Sequence, residues 1–225
     1  MQKTLRPLAA EFIGVFMLTF IGAGAIVLNT YHDGSVGLLG IAIAHGLAFA
    51  IAVTATMNIS GGHINPAVTV GLWSVGRIGW KQAGLYVLAQ VLGAIVAALA
   101  IKGLYPDGAN RVAELGVPRL ASDVSFTQGV LVEAILTFFL AFAVMGTVVD
   151  AAAPKVAGWA VGLTAAMGIL AGGGITGGAL NPARAFGPAL AGVHWNHHLV
   201  YWIGPLLGGA LAGMIYGRFL IKEGK

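Results

Sequence analysis

Two short segments of this chain, Ser60-Gly61-Gly62-His63-Ile64-Asn65-Pro66-Ala67 and Thr176-Gly177-Gly178-Ala179-Leu180-Asn181-Pro182-Ala183-Arg184, set glycines, an asparagine and a proline inside otherwise apolar sequence. An ordinary membrane helix would carry Leu or Ile there. Asn followed by Pro is how a helix starts, with Asn as N-cap and Pro at the first helical position. Each copy therefore reads as a loop turning into a helix. The helices that follow, Pro66–Val75 and Pro182–Leu190, run to about ten residues, or ~15 Å, half of a ~30 Å hydrocarbon core. They enter the membrane without crossing it.

That the surroundings are membrane follows from composition. Of 225 residues, 58% are hydrophobic and 9% charged, with a mean hydropathy of +0.88, whereas soluble domains carry roughly 25% charge. Spans of about 20 apolar residues fall at Leu5–Leu28, Val36–Met57, Ala83–Lys102, Thr127–Val149, Val156–Ile175 and His198–Leu220, with a polar Asp150–Lys155 turn before the fifth. The predicted class is an all-α membrane protein of six transmembrane helices plus two re-entrant half-helices, in one domain over residues 1–225. The first span is too long for the apolar core of a cleaved signal. With no Cys, disulfides and thiolate nucleophiles are excluded, and the acids outside the spans are scattered singly, which speaks against an enzyme. No cofactor, metal or nucleic-acid partner is expected.

The halves correspond. Asn65 and Asn181 lie 116 positions apart, Tyr86, Gln90 and Gly93 map onto Tyr201, Pro205 and Gly208 at 115, and Glu11 maps onto Glu133 at 122. The repeats cover about residues 1–104 and 125–225, joined by a polar linker, 105–124, in which Pro106 and Pro118 argue against continuous helix. Three spans per half turn the second copy upside down. With the N-terminus inside, Lys3, Arg6, Arg77, Lys81, Lys155, Arg218, Lys222 and Lys225 lie on the cytoplasmic side, eight of the twelve Lys and Arg. The positive-inside rule thus puts both termini in the cytoplasm.

Irregular backbone at membrane depth must be buried in protein or line a water-filled cavity. Two glycine-rich loops imply such a cavity. The carbonyls of Gly61, Gly62, His63 and Ile64, and of Gly177, Gly178, Ala179 and Leu180, can form a ladder of acceptors along it. Two inverted half-helices bring their positive N-terminal ends to one place, with the Asn65 and Asn181 amides as donors. Such a centre suits a neutral polar molecule and repels a cation.

The doubled Asn-Pro-Ala (Asn65-Pro66-Ala67 and Asn181-Pro182-Ala183), Gly61-Gly62-His63 before the first copy and Arg184 after the second resemble the aquaporin family, the major intrinsic proteins. The resemblance spans nearly the whole chain. It implies passive conduction of water or small neutral solutes, exclusion of protons, and a homotetramer in the bilayer with one pore per subunit. It also implies that Glu11 and Glu133 accept hydrogen bonds from the re-entrant loops. Buried acids can instead be proton relays of a coupled transporter, but their matched positions favour the scaffold role. His63 is expected to brace its loop. His194, His197 and His198, beside Trp195, Tyr201 and Trp202, read as an interfacial belt rather than a metal site, and Gly14, Gly93, Gly208 and Gly213 as close helix crossings.

The family's narrowest point is set by four residues, found by counting from each Asn: His45, Ile169, Gly178 and Arg184. Orthodox water channels resemble Phe, His, a small residue and Arg; glycerol facilitators resemble Trp, Gly, Phe and Arg. This set departs from both and is similar to that of some plant tonoplast intrinsic proteins. The Asp that follows the Arg in glycerol channels is here Ala185. Ile169 in place of a ring and the bare Gly178 should widen the opening, while His45 and Arg184 keep polar groups on its wall. Water is the expected solute, with ammonia, and urea or hydrogen peroxide, as further permeants; a glycerol facilitator with low water flux is the alternative. Ammonia-conducting plant relatives carry another His in the third external connection, and residues 105–128 hold none. The short termini fit a bacterial or archaeal cell (inner) membrane.

Overall fold

The structure, a computed structural model, describes residues 2–153 and 156–221. Lys155, Lys222 and Lys225 of the orientation count lie outside the described residues. The helices are α1 (Gln2–Tyr31), α2 (Gly37–Ser60), α3 (Pro66–Ser74), α4 (Trp80–Leu104), α5 (Asp107–Ala113), α6 (Phe126–Val144), α7 (Ala157–Gly172), α8 (Pro182–Gly192) and α9 (Val200–Ile215). A π-helical turn extends α6 through Met145–Val149 and another extends α9 through Tyr216–Leu220. Six of these segments are long and apolar enough to cross a membrane: Thr4–Tyr31, Gly37–Ser60, Trp80–Leu104, Phe126–Val149, Ala157–Thr176 and Val200–Leu220. They match the six predicted spans to within a few residues.

Helix boundaries follow the local chemistry. Gly61 ends α2 in the left-handed region at φ 92°, its N–H closing on Met57 O, which a Cβ would disfavour. Ser125 and Gln128 form a reciprocal capping box at the start of α6, partnering backbone donors that a helix start otherwise leaves open. The polar linker is less irregular than expected, because α5 forms between its two prolines. Pro106 occupies the N-cap of α5, where no backbone N–H is required, and the helix stops when Glu114 turns left-handed at φ 47°.

In the bundle α1 packs on α2 and α4, α6 packs on α7 and α9, and α2 crosses α7. Each half-helix lies against a long helix from the other half of the chain, α3 on α9 and α8 on α4. Close crossings rest on missing side chains. A Cβ on Gly93 would lie 2.3 Å from Phe12 O, on Gly208 2.1 Å from Ala134 O, on Gly213 2.2 Å from Gly71 O, and on Gly14 2.8 Å from the Ile64 side chain. Small residues at such contacts let backbones approach where lipid provides no hydrophobic drive between helices. Leu39, Leu88, Leu131 and Leu163 are more than half exposed, as lipid-facing residues of a multi-pass membrane protein should be, while Glu11 and Glu133 are fully buried.

Candidate pore

The two loops are built alike. Gly61, Gly62 and Ile64 have positive φ (92°, 63° and 53°), and so do Gly177, Gly178 and Leu180 (84°, 58° and 52°). For Ile64, branched at Cβ, that conformation is disfavoured, so something outside the loop must hold it. Glu11 does so: Oε1 accepts from Ser60 Oγ (2.6 Å) and His63 N (2.9 Å), and Oε2 accepts from Ile64 N (2.6 Å) and Gln90 Nε2 (2.7 Å). Glu133 matches it from the other half, with Oε1 accepting from Thr176 Oγ1 (2.7 Å) and Ala179 N (2.9 Å) and Oε2 from Leu180 N (2.8 Å). Where the first half has Gln90 the second has Pro205, so Glu133 lacks that extra donor. Tyr86 and Tyr201 donate to Ser60 O and Thr176 O at 2.9 and 2.8 Å.

The half-helices meet end to end. Asn65 Oδ1 accepts from Ala67 N (2.8 Å), and Asn181 Oδ1 accepts from Ala183 N (3.1 Å) and Arg184 N (3.2 Å). Each Asn then donates across the junction, Asn65 Nδ2 to Leu180 O (2.8 Å) and Asn181 Nδ2 to Ile64 O (2.9 Å). One amide hydrogen of each Asn and one acceptor position on Ile64 O and Leu180 O thus tie the loops together. The second amide hydrogen of each Asn has no part in these bonds. Both positive helix ends face the same point.

His63 is positioned as a brace. Thr69 Oγ1 donates to Asn65 O (3.0 Å) and therefore accepts from both Gln90 Nε2 and His63 Nδ1, each at 3.0 Å. The His63 ring also meets Tyr86 edge-on, with centroids 5.0 Å apart.

His45, Ile169 and Arg184 line one narrow chamber of about 20 Å³ together with Leu18, Phe49, Leu140, Ala165, Ala179, Leu180 and Asn181, enough for about one water. Gly178 adjoins it, and a Cβ there would lie 3.0 Å from Ile169 Cα. His45 Nδ1–H donates to Ile41 O (2.9 Å), which leaves Nε2 as an acceptor for Arg184 Nε–H (3.3 Å) and Nη2–H (3.2 Å). Arg184 Nη1 donates to Gly116 O at 3.0 Å, and Arg184 is only 2% exposed. The guanidinium is thus held by three contacts. Gly22 on α1 makes room for the imidazole, since a Cβ there would sit 2.3 Å from the His45 ring. Beyond the loops, a cavity of about 320 Å³ opens among Ser60, Gly61, His63, Arg77, Tyr86 and Val149.

Sequence reasoning missed the Gly116 carbonyl, which lies in a linker without a motif. It also missed Phe49, although Phe49 follows His45 by four positions and so shares its helix face. The three histidines do not converge. His198 Nε2 accepts from Trp202 Nε1 (3.1 Å) and its ring lies edge-on to Trp195 and Phe186, with burial pushing its pKa down. His194 Nδ1 lies 3.4 Å from Glu114.

The model of the family described as major intrinsic protein matches residues 1–216. The chain is 44% identical to aquaporin TIP4-4 of Zea mays, over 98% of this chain and 88% of that one. It is 41% identical to aquaporin TIP2-1 of Arabidopsis thaliana, over 96% and 87%. Among solved structures it superposes on the aquaglyceroporin from Plasmodium falciparum with a TM-score of 0.87, at 27% identity, covering 96% of this chain and 97% of that one. Near-complete coverage by the family model and by these relatives shows that the chain belongs to the major intrinsic protein family.

Proposed function

We propose that the chain is a passive channel for water whose filter, formed by His45, Ile169, Gly178 and Arg184, also admits ammonia, with urea and hydrogen peroxide as further solutes. The observation that carries the reading is the lateral capture of Arg184 by His45 Nε2 and Gly116 O, beside a position without a side chain at Gly178. A guanidinium held by these contacts leaves more room than one extended across the chamber, whose volume of about 20 Å³ suits a solute near the size of water. The chamber lining also includes the apolar Leu18, Phe49 and Leu140, so a permeant has few partners and crosses without being trapped. Relatives named as TIP aquaporins support water conduction.

Exclusion of protons and ions rests on the abutting positive helix ends and on the Asn65 and Asn181 donors, which disfavour a cation at the midpoint. The repeats, about 1–104 and 125–225, are inverted in this reading, and the matched roles of Glu11 and Glu133 support that relation. In this reading the protein is a homotetramer, which rests on family likeness, with both termini cytoplasmic, which rests on the Lys and Arg distribution. Glycerol facilitation is the second reading, favoured by the aquaglyceroporin likeness and opposed by Ala185 and by the His45, Ile169, Gly178 set.

Purified protein in proteoliposomes tests this. Osmotic shrinkage measures water flux, and an internal pH dye measures ammonia entry. The expectation is fast water flux with ammonia entry above that of empty vesicles. Rapid water flux without added ammonia flux would refute the wide filter, and fast glycerol entry with little water flux would favour the second reading.

A further inference from the structure

The filter arginine is held on one side by a backbone carbonyl, and that carbonyl belongs to a turn that is not at rest. Glu114, Leu115 and Gly116 have φ of 47°, 55° and 72°, three successive left-handed residues, two of which carry side chains that disfavour the conformation. The turn is kept in place from several sides. Leu115 is buried among Ala23, Val27, Ile101 and Ala191, Gly116 abuts the Ala23 backbone so closely that a Cβ would lie 2.8 Å from Ala23 O, and Pro118 lies against Gly177. Across the turn, Glu114 Oε1 pairs with Arg119 Nη2, and Glu114 Oε2 faces His194 Nδ1 at 3.4 Å.

His194 lies two residues beyond the end of α8, the half-helix whose first turn carries Arg184, and its own N–H bonds back to Ala189 O. Glu114 therefore joins the turn that supplies the acceptor to the element that supplies the donor. We infer that Glu114 is a positioning residue of the filter: paired with Arg119 and lying beside His194, it keeps the Gly116 carbonyl where it holds Arg184, and so sets the width of the opening. This rests on the filter reading above. The Glu114 and Arg119 side chains are 24% and 57% exposed, and ion pairs so exposed add little to stability. The role of the bridge is geometric. Without it the turn relaxes, the Gly116 acceptor withdraws, and Arg184, retaining only His45, reaches toward water in the lumen.

The test is the ratio of urea to water permeability in proteoliposomes. The ratio is independent of how many channels insert, so a merely structural role would leave it unchanged. Glu114→Ala should lower the ratio by about tenfold or more, the scale on which loss of one hydrogen bond to a charged group redistributes conformers. Arg119→Ala should lower it in the same direction, and Arg119→Lys, which keeps the charge, should restore it toward wild type. A wild-type ratio in Glu114→Ala overturns the proposal; should that variant fail to insert, a wild-type ratio in Arg119→Ala does so. Wild-type protein whose urea permeability does not exceed that of empty vesicles would instead overturn the filter reading itself.

Discussion

Glu133 offers the sharpest test of how the irregular loops survive at membrane depth. Its carboxylate is fully buried and accepts from Thr176 Oγ1, Ala179 N and Leu180 N. Replacing it with Ala leaves two backbone N–H groups unpartnered where lipid and protein exclude water. Each costs about 1–3 kcal/mol, so Glu133→Ala should destabilise by about 2–6 kcal/mol. The Thr176 hydroxyl adds little, because it already lies 3.4 Å from Gly172 O and can turn to it. Against a total stability of about 5–15 kcal/mol, the loss is large. Glu133→Gln keeps one acceptor oxygen and should cost about half as much. Glu11→Gln should cost about as much, because its NH₂ cannot accept from Ile64 N, and flipping the Gln90 amide to accept from that NH₂ would forfeit the Gln90 bond to Thr69 Oγ1. Thermal unfolding of the purified variants in detergent, followed by flux per inserted channel, measures both consequences. An unfolding midpoint equal to wild type in Glu133→Ala, with transport abolished, would refute the scaffold role and point to a proton-carrying acid.

Three further outcomes follow from the chamber. Arg184→Ala removes the buried cation and should let larger solutes and cations leak while water flux is kept, measured by glycerol entry and by membrane current. Gly22→Ala would place a Cβ 2.3 Å from the His45 ring, so it should displace the imidazole, weaken its bond to Arg184 and lower water flux per channel. Ile169→His puts a ring into the chamber and should cut urea and ammonia entry more than water, read as a fall in the solute-to-water ratio.

The sequence carried the membrane class, the six spans and the two half-helices because lipid leaves few alternatives. A Gly-Gly run followed by Asn-Pro inside apolar sequence has hardly any other stable form there, and the Asn65 and Asn181 caps bear this out. His45 and Ile169 emerged only through family spacing, yet they meet Arg184 in one chamber. What the sequence concealed is backbone chemistry. The Gly116 carbonyl has no side-chain signature, and nothing in the order of residues tells that Glu114 through Gly116 turns left-handed. The cross-loop bonds of Asn65 and Asn181 were also hidden, since they join residues more than a hundred positions apart. Helix α5 was obscured because prolines at both ends of a segment read as breakers, although one of them occupies an N-cap.

The most direct test of the central claim is the osmotic water permeability of proteoliposomes, measured by stopped-flow light scattering while an internal dye reports proton entry. The expected result is water permeability far above that of protein-free vesicles with proton leak no greater than theirs. Water flux at the level of empty vesicles, or proton entry that rises with the amount of inserted protein, would contradict it.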